Sequence, residues 1–563
     1  MGNGRVGLVS PTCSRLVLAV IAAAALLAAT PAIGHAEGGT AVVGWGDNYP
    51  DEELGAGYRE SPGFEPSPVL VLGLSGVTAL ASAGNSSFAL LANGTVRSWG
   101  SDAKGQLGNG NSEHEPSGSP VKVVERTSGG EVRELKGVTA IAASYGADTH
   151  VMALVDDGEH EGEVMTWGAS EYGERGNGQS GFEKEGETVP RYEASAVPDL
   201  KHVIAIAAGG NSDFALQEED GTTTLWAWGE NRYGKLGTDE TGPDECEGEA
   251  AKDRPCSTTP KQVDLPTGVK VTAISSGKEA AYAVLSNGTV LAWGSNAHGE
   301  LGNGTATESA VPEYVCASGS GESCSHLKEV TAVSGGNLFA LALREDGEVV
   351  AWGSNGAGEL GGTSSEECAE KTEKTCQKIP KAVSGLTEVS AISAGSSFSL
   401  ALSGGKVYSW GNNERGQLGD GKEEGPETCV GEAPCSRTPT AIEGLSDIGG
   451  IAAGGSETGE AHSFAYLLSG SGPAPLASLT AEEDKLTAHW TFSAPEIKLR
   501  WKLATEKAWS TSVNGEASCS AEHPCHYTVT GLTPGDIYEV QVTIYNAEKE
   551  LGKHWTMQGT PLG

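Results

Sequence analysis

The dipeptide Trp-Gly constrains this chain more than any other feature. It begins at Trp45, Trp99, Trp167, Trp228, Trp293, Trp352 and Trp410, at intervals of 54, 68, 61, 65, 59 and 58 residues. Recurrence on that scale marks a solenoid or a propeller, in which each repeat buries its apolar face against the next. A longer phrase surrounds the dipeptide, as in Trp99-Gly-Ser-Asp-Ala-Lys-Gly-Gln-Leu-Gly108, Trp293-Gly-Ser-Asn-Ala-His-Gly-Glu-Leu-Gly302 and Trp410-Gly-Asn-Asn-Glu-Arg-Gly-Gln-Leu-Gly419. The first copy, ending in Glu53-Leu54-Gly55, is distorted, and the third carries Arg175 in place of the Leu. This punctuation accounts for much of the glycine, 81 of 563 residues. The glycines have no three-residue period, so the chain is not collagen-like.

A second motif, small residues alternating with branched ones, also occurs seven times: from Val77, Val138, Val203, Val271, Val330, Val389 and Ile448. That alternation predicts a tightly packed strand. A short apolar strand follows, then a turn such as Asn93-Gly94, Asn287-Gly288 or Asp346-Gly347, then the Trp-Gly strand. Asn-Gly and Asp-Gly between apolar runs are hairpin signals. A Pro-containing strand, such as that from Pro260 or Pro380, makes four strands per repeat. The first Trp-Gly has no small-residue strand before it, and the last small-residue strand has no Trp-Gly after it. Both ends are satisfied if the strand from Ala41 to Trp45 completes the last repeat and closes a ring. The expected fold is all-β: a seven-bladed β-propeller over 37–470, closed by the N-terminal strand. The seven tryptophans are read as packing between blades.

These phrases resemble the RCC1-type repeat, that of the regulator of chromosome condensation, over about residues 40–470. The family loop Gly-x-x-His-Ser-x-Ala-Leu is kept at His462-Ser463-Phe464-Ala465 and partly at His150; the other copies put Ser, Phe, Ala or Asp there. The resemblance implies a propeller used as a protein-interaction platform. Some members promote nucleotide exchange on a small GTPase, others sense light through tryptophans, and one secreted member docks on β-lactamase through a propeller face.

A linker is expected at 471–475, where the Trp-Gly pattern stops. The remaining 476–563 alternate as strands of a small β-sandwich. Gly531-Leu-Thr-Pro-Gly-Asp-Ile-Tyr-Glu-Val-Gln-Val542 resembles a fibronectin type III signature, which would make Tyr538 the corner tyrosine and Trp490 the core tryptophan.

Residues 1–36 read as a signal peptide. Arg5 and Arg15 precede or flank an apolar run from Leu16 to Ala29, and Gly34-His35-Ala36 supplies small residues for cleavage. An uncleaved N-terminal anchor is the other reading. Cleavage removes Cys13 and leaves ten cysteines in five near-neighbour pairs: Cys246/Cys256, Cys316/Cys324, Cys368/Cys376, Cys429/Cys435 and Cys519/Cys525. Local disulfides in an exported chain are expected. The expected location is secreted or extracytoplasmic, with no membrane span after cleavage and a monomeric state. The net charge of −38, or −40 without the two arginines, argues against nucleic acid as a partner.

No nucleophile elbow, phosphate loop, metal-spaced His/Cys set or EF-hand loop is present, so no catalytic, cofactor or metal residues are assigned. The acid runs are read as solvated loops, with weak calcium binding the lesser alternative. In a four-stranded blade, loops after the first and third strands share a face. Three cysteine pairs fall there, with Cys316/Cys324 on the other side. Tyr145, His150, Phe214, Phe339 and His462 are the candidate binding residues of that face. The leading functional reading is a secreted, non-enzymatic protein that engages an extracellular protein or surface glycan. A cell-surface or matrix structural protein, and less readily a polysaccharide-active enzyme, are the alternatives.

Overall fold

The computed structural model describes residues 41–56, 63–71, 73–127, 130–146, 149–158, 160–181, 191–238, 244–246, 255–364, 366–367, 375–422, 424–456 and 461–468, and in the tail 478–482, 485–490, 496–503, 513–514, 525–530, Thr533, 538–545 and 551–559. Seven antiparallel sheets follow one another around a ring. Blade 1 runs Val77–Ser82, Ser86–Leu91, Val96–Gly100 and Ser117–Lys122 from the axis outward. Blades 2 to 6 repeat this order with innermost strands Val138–Ala143, Val203–Gly209, Val271–Ser276, Val330–Gly335 and Val389–Ala394. The innermost strands are built of small residues because seven of them converge on the axis. A Cβ at Gly277, for example, would lie 2.4 Å from the Gly336 carbonyl oxygen of the next blade.

Blade 7 closes the ring and goes further than one N-terminal strand. Its inner half is Ile448–Ala453 and His462–Leu467; its outer half is Val42–Asp47 and Phe64–Leu70. Trp45 stands opposite Ser463, as each later Trp stands opposite its own second strand. The two halves come from opposite ends of the repeat region, so no blade is left with an unpaired edge inside the ring.

All seven Trp-Gly tryptophans are fully buried. Each indole Nε1–H donates to a backbone carbonyl of the preceding blade: Trp99 to Glu53, Trp167 to Gln106, Trp228 to Glu174, Trp293 to Lys235, Trp352 to Glu300, Trp410 to Glu359 and Trp45 to Gln417, at 2.7–2.9 Å. The acceptor is always the residue before the Leu-Gly (in the third copy, Arg-Gly) of the long phrase. The Gly that follows has φ of 60–69°, and a Cβ there would come 2.7–3.1 Å from the next indole. The Gly of Trp-Gly has φ of 94–108° and carries the bulge that lets the fourth strand pair. The two glycines of the phrase thus have separate physical reasons.

Beyond the ring, the tail strands form a three-stranded sheet, Ser478–Glu482, Lys485–Trp490 and Cys525–Thr530, and a four-stranded sheet in the order Val513–Asn514, Glu496–Leu503, Tyr538–Tyr545 and Leu551–Gly559. The expected signal peptide (1–36), the linker (471–475), Cys368 and Cys519 lie outside the described residues, as do the side chains of Trp490, Cys525 and Tyr538. Among the described residues, no helix is long and apolar enough to cross a membrane.

Candidate binding face

The ring has two faces. One carries the Asn-Gly and Asp-Gly turns; the other carries the loops that follow each Trp-Gly strand. Disulfides Cys246–Cys256 and Cys429–Cys435 lie on the Trp-Gly face, and Cys316–Cys324 on the opposite one. Cys376 is also disulfide-bonded. The long loops lean back on the preceding blade. The Cys246–Cys256 bridge packs on Tyr172 of blade 2, and Val430 of blade 6 donates its N–H to the Gly356 carbonyl of blade 5.

The five candidate side chains do not lie on the exposed surface of this face. Four are buried in the seams between blades, and the reason is register. The Gly of each Trp-Gly pairs with the residue that opens the second strand, which is His150 in blade 2, Phe339 in blade 5 and His462 in blade 7. That position points into the next blade. His150 is 1% exposed, and its Nε2 lies 2.7 Å from Asp213 of blade 3. His462 Nε2 lies 3.0 Å from Ser87 Oγ of blade 1. The Ser87 hydroxyl donates to the Glu53 carbonyl, so the imidazole N–H is the donor in the His–Ser pair. Phe214 packs edge-on against Trp293, at 6.0 Å between ring centroids. Tyr145 leaves blade 2 and crosses the axis. Its hydroxyl reaches the carbonyls of Gly335 in blade 5, at 2.8 Å, and of Ala394 in blade 6. The cavity it lines on the axis is only about 90 Å3.

The His150 seam collects further charge. Glu174 and Lys235, also buried, are close enough to perturb the pair. Burial pushes the His150 pKa down, but Asp213 and Glu174 outweigh it, so the net shift is upward. Burial raises Asp213 against the pull of His150, and raises Glu174 to about 7. Lys235 is driven down to about 7 by burial, and its Nζ donates to the carbonyls of Gly209, Gly277 and Lys278 at 2.5–2.8 Å. His, Asp and Glu side chains in one cluster suggest acid–base chemistry, yet none of the three exceeds 1% exposure. A substrate has no route to them, and the cluster is a seam element.

The copies differ most at the residue before the middle Gly of the phrase, in the six copies that have one: Lys104, Tyr172, Tyr233, His298, Ala357 and Arg415; all but Tyr172, which the Cys246–Cys256 bridge covers, reach the surface of the face. Sequence reasoning passed over these positions; their variation among otherwise regular copies was the available signal. Where blade 3 meets blade 4 they border a cleft of about 170 Å3 formed by Tyr233, Glu279, Asn296, His298, Ala306 and Glu308. Arg232 places its guanidinium 4.6 Å over the Tyr233 ring. The cleft has an aromatic wall and two carboxylates, the half-buried Glu279 and the exposed Glu308. Such a lining suits a cation. Among the described residues no group of three or more His, Cys, Asp or Glu side chains is placed to hold a metal ion.

Fold and face together define a seven-bladed propeller whose variable loops crowd one side. The chain belongs to the RCC1-like domain family, which matches residues 41–465. It is 29% identical to the human E3 ubiquitin-protein ligase HERC2 over 364 residues, 64% of this chain but only 6% of that ligase. It is 27% identical to the ultraviolet-B receptor UVR8 of Arabidopsis thaliana, over 61% of this chain and 67% of the receptor. Prp20p of Saccharomyces cerevisiae and human WBSCR16 share the fold at 20% identity, each with a TM-score of 0.57 over 77% of this chain, covering 93% and 100% of their own.

Proposed function

We propose that this protein is a secreted, non-enzymatic binding module that engages a basic extracellular protein through the Trp-Gly face of its propeller. The observation that carries the reading is the cleft of Tyr233, Glu279, His298 and Glu308, open on a face whose loops are cross-linked and vary from blade to blade. The overall charge of −38 supports a cationic partner over an anionic glycan. In the same family, Prp20p binds Gsp1p and histones, the latter being basic proteins. The apolar run at Leu16–Ala29 supports export. The three- and four-stranded antiparallel sheets of the tail support a fibronectin type III-like sandwich acting as a spacer.

Crosslinking capture from secreted and surface proteins tests the proposal, with the full chain compared to a Glu279→Lys/Glu308→Lys variant. The expected result is a basic protein captured by the wild type, released by salt and lost in the variant. Equal capture by both chains would sink the reading.

A further inference from the structure

Each Trp-Gly loop buries one side chain before its Leu-Gly or Arg-Gly: Glu53, Gln106, Glu174, Lys235, Glu300, Glu359 and Gln417 in turn. In six copies the side-chain oxygen accepts the backbone N–H two residues earlier, that of Asp51, Lys104, Tyr172, His298, Ala357 or Arg415. That cradle needs one acceptor oxygen. Gln106 and Gln417 supply it as a neutral amide. Glu53 and Glu174 supply it as carboxyls that are each 1% exposed. Their second oxygens, Glu53 Oε2 and Glu174 Oε1, are buried without a hydrogen-bond partner. An ionised carboxylate there keeps one charged oxygen on its backbone donor and the other away from both water and donors, whereas a protonated one is close in shape and charge to the Gln of the sister copies.

We infer that the propeller takes up protons at the Glu53 and Glu174 cradles as its blades close, so that the ring is tightest in mildly acidic medium and loosens toward neutral pH. The surroundings of both groups favour this. Glu53 faces Asp47 and Asp51 of its own loop, and both repel a second negative charge. Arg415 of blade 6 is directed at Asp47, 3.9 Å away, and the Ser87–His462 pair bonds the Glu53 backbone, not its carboxyl. Glu174 faces His150 of its own blade and Asp213 of blade 3, with Lys235 beyond Asp213. The His150 cation lowers Glu174, and burial outweighs it.

Burial sets Glu53 near 8 and Glu174 near 7, against 4.5 in the open chain. Each therefore holds a proton in the fold that the unfolded chain has released, and stability falls as pH rises from 4.5 through those values. Asp102, raised by burial to about 7, and Glu359, raised by burial, act in the same direction. His462, lowered by burial to about 4, acts against them only up to 6.5; Lys235 opposes them above 7. Between pH 5 and 7 the carboxyls prevail, and the folding constant falls by about tenfold per pH unit for each net proton taken up.

The test is the urea midpoint of the full chain at pH 5, 6, 7 and 8, with the propeller followed by pulse proteolysis. The wild-type midpoint is expected to fall from pH 5 to 7. Glu53→Gln and Glu174→Gln are expected to raise it at pH 7, leave it nearly unchanged at pH 5 and flatten the slope. Gln417→Glu, placing a carboxyl in a Gln cradle, is expected to steepen it, and Glu113→Gln on the exposed surface to leave it unchanged. A flat or rising wild-type profile overturns the inference. So does an unchanged slope in both Gln variants, or a Gln variant that no longer folds at pH 5, since the cradle would then reject the neutral isostere.

Discussion

His150 and His462 hold the same place in blades 2 and 7, and each bonds the next blade, yet their partners differ in charge. Asp213 makes the first pair ionic, while Ser87 leaves the second neutral. Removing one partner of a buried ion pair strands the other, so His150→Ala is expected to cost about 3–5 kcal/mol. His462→Ala is expected to cost about 1 kcal/mol, because Ser87 keeps its bond to the Glu53 carbonyl. The His150 pKa is raised, so the stability it contributes is complete below 6.5 and is lost as pH rises through its folded value. The gap between His150→Ala and wild type in urea denaturation should therefore narrow from pH 6 to pH 9, whereas that for His462→Ala should widen slightly between pH 6 and about pH 7, because burial lowers His462 and the unfolded histidine gives up its proton there, and hold constant above. From the sequence both histidines looked like loop residues of a binding face. Placing them in the seam depends on the residue opposite each Trp-Gly glycine, and strand register is weakly written in a run of Ser, Ala and His.

The loop after each Trp-Gly strand is the element that joins blade to blade. A side chain of the blade, Asn296 in the fourth, accepts the N–H of Leu301 through its Oδ1 and sets the turn; the Glu300 carbonyl then accepts the indole N–H of Trp352 together with the Tyr282 hydroxyl. Gly302 admits that indole at φ 61°. Gly302→Ala adds a Cβ 2.9 Å from the indole ring in a left-handed conformation. The expected cost is about 1–3 kcal/mol, with a shifted Trp352 indole N–H resonance and faster hydrogen exchange there than at Trp99. The phrase itself was plain in the sequence because it recurs. Its acceptor was not, because the carbonyl that receives the indole proton belongs to every residue type alike; Glu, Gln and Lys all serve.

At the scale of the whole molecule, closure joins residues far apart in the chain: Trp45 to Gln417, Ser87 to His462, Tyr145 to Gly335. Deleting residues 41–70 would remove both outer strands of blade 7, the Trp45 indole and the Glu53 carbonyl that receives Trp99. The remaining hairpin, Ile448–Leu467, would expose a strand edge to water. Loss of a cooperative thermal transition for the propeller is expected, read by near-ultraviolet circular dichroism; a transition retained within a few degrees would show that the outer strands are dispensable. The number of blades, the four-strand order and the need for closure were determined by the sequence alone, because a repeat states its own period seven times and two motifs out of step at the ends leave one way to pair. The tertiary structure decided that two N-terminal strands, not one, complete the ring, that Tyr145 crosses the axis, and that His150, Phe214, Phe339 and His462 lie between blades. These outcomes rest on contacts between different blades, and such contacts follow from how twisted sheets face one another in space, not from the spacing of residues along a strand.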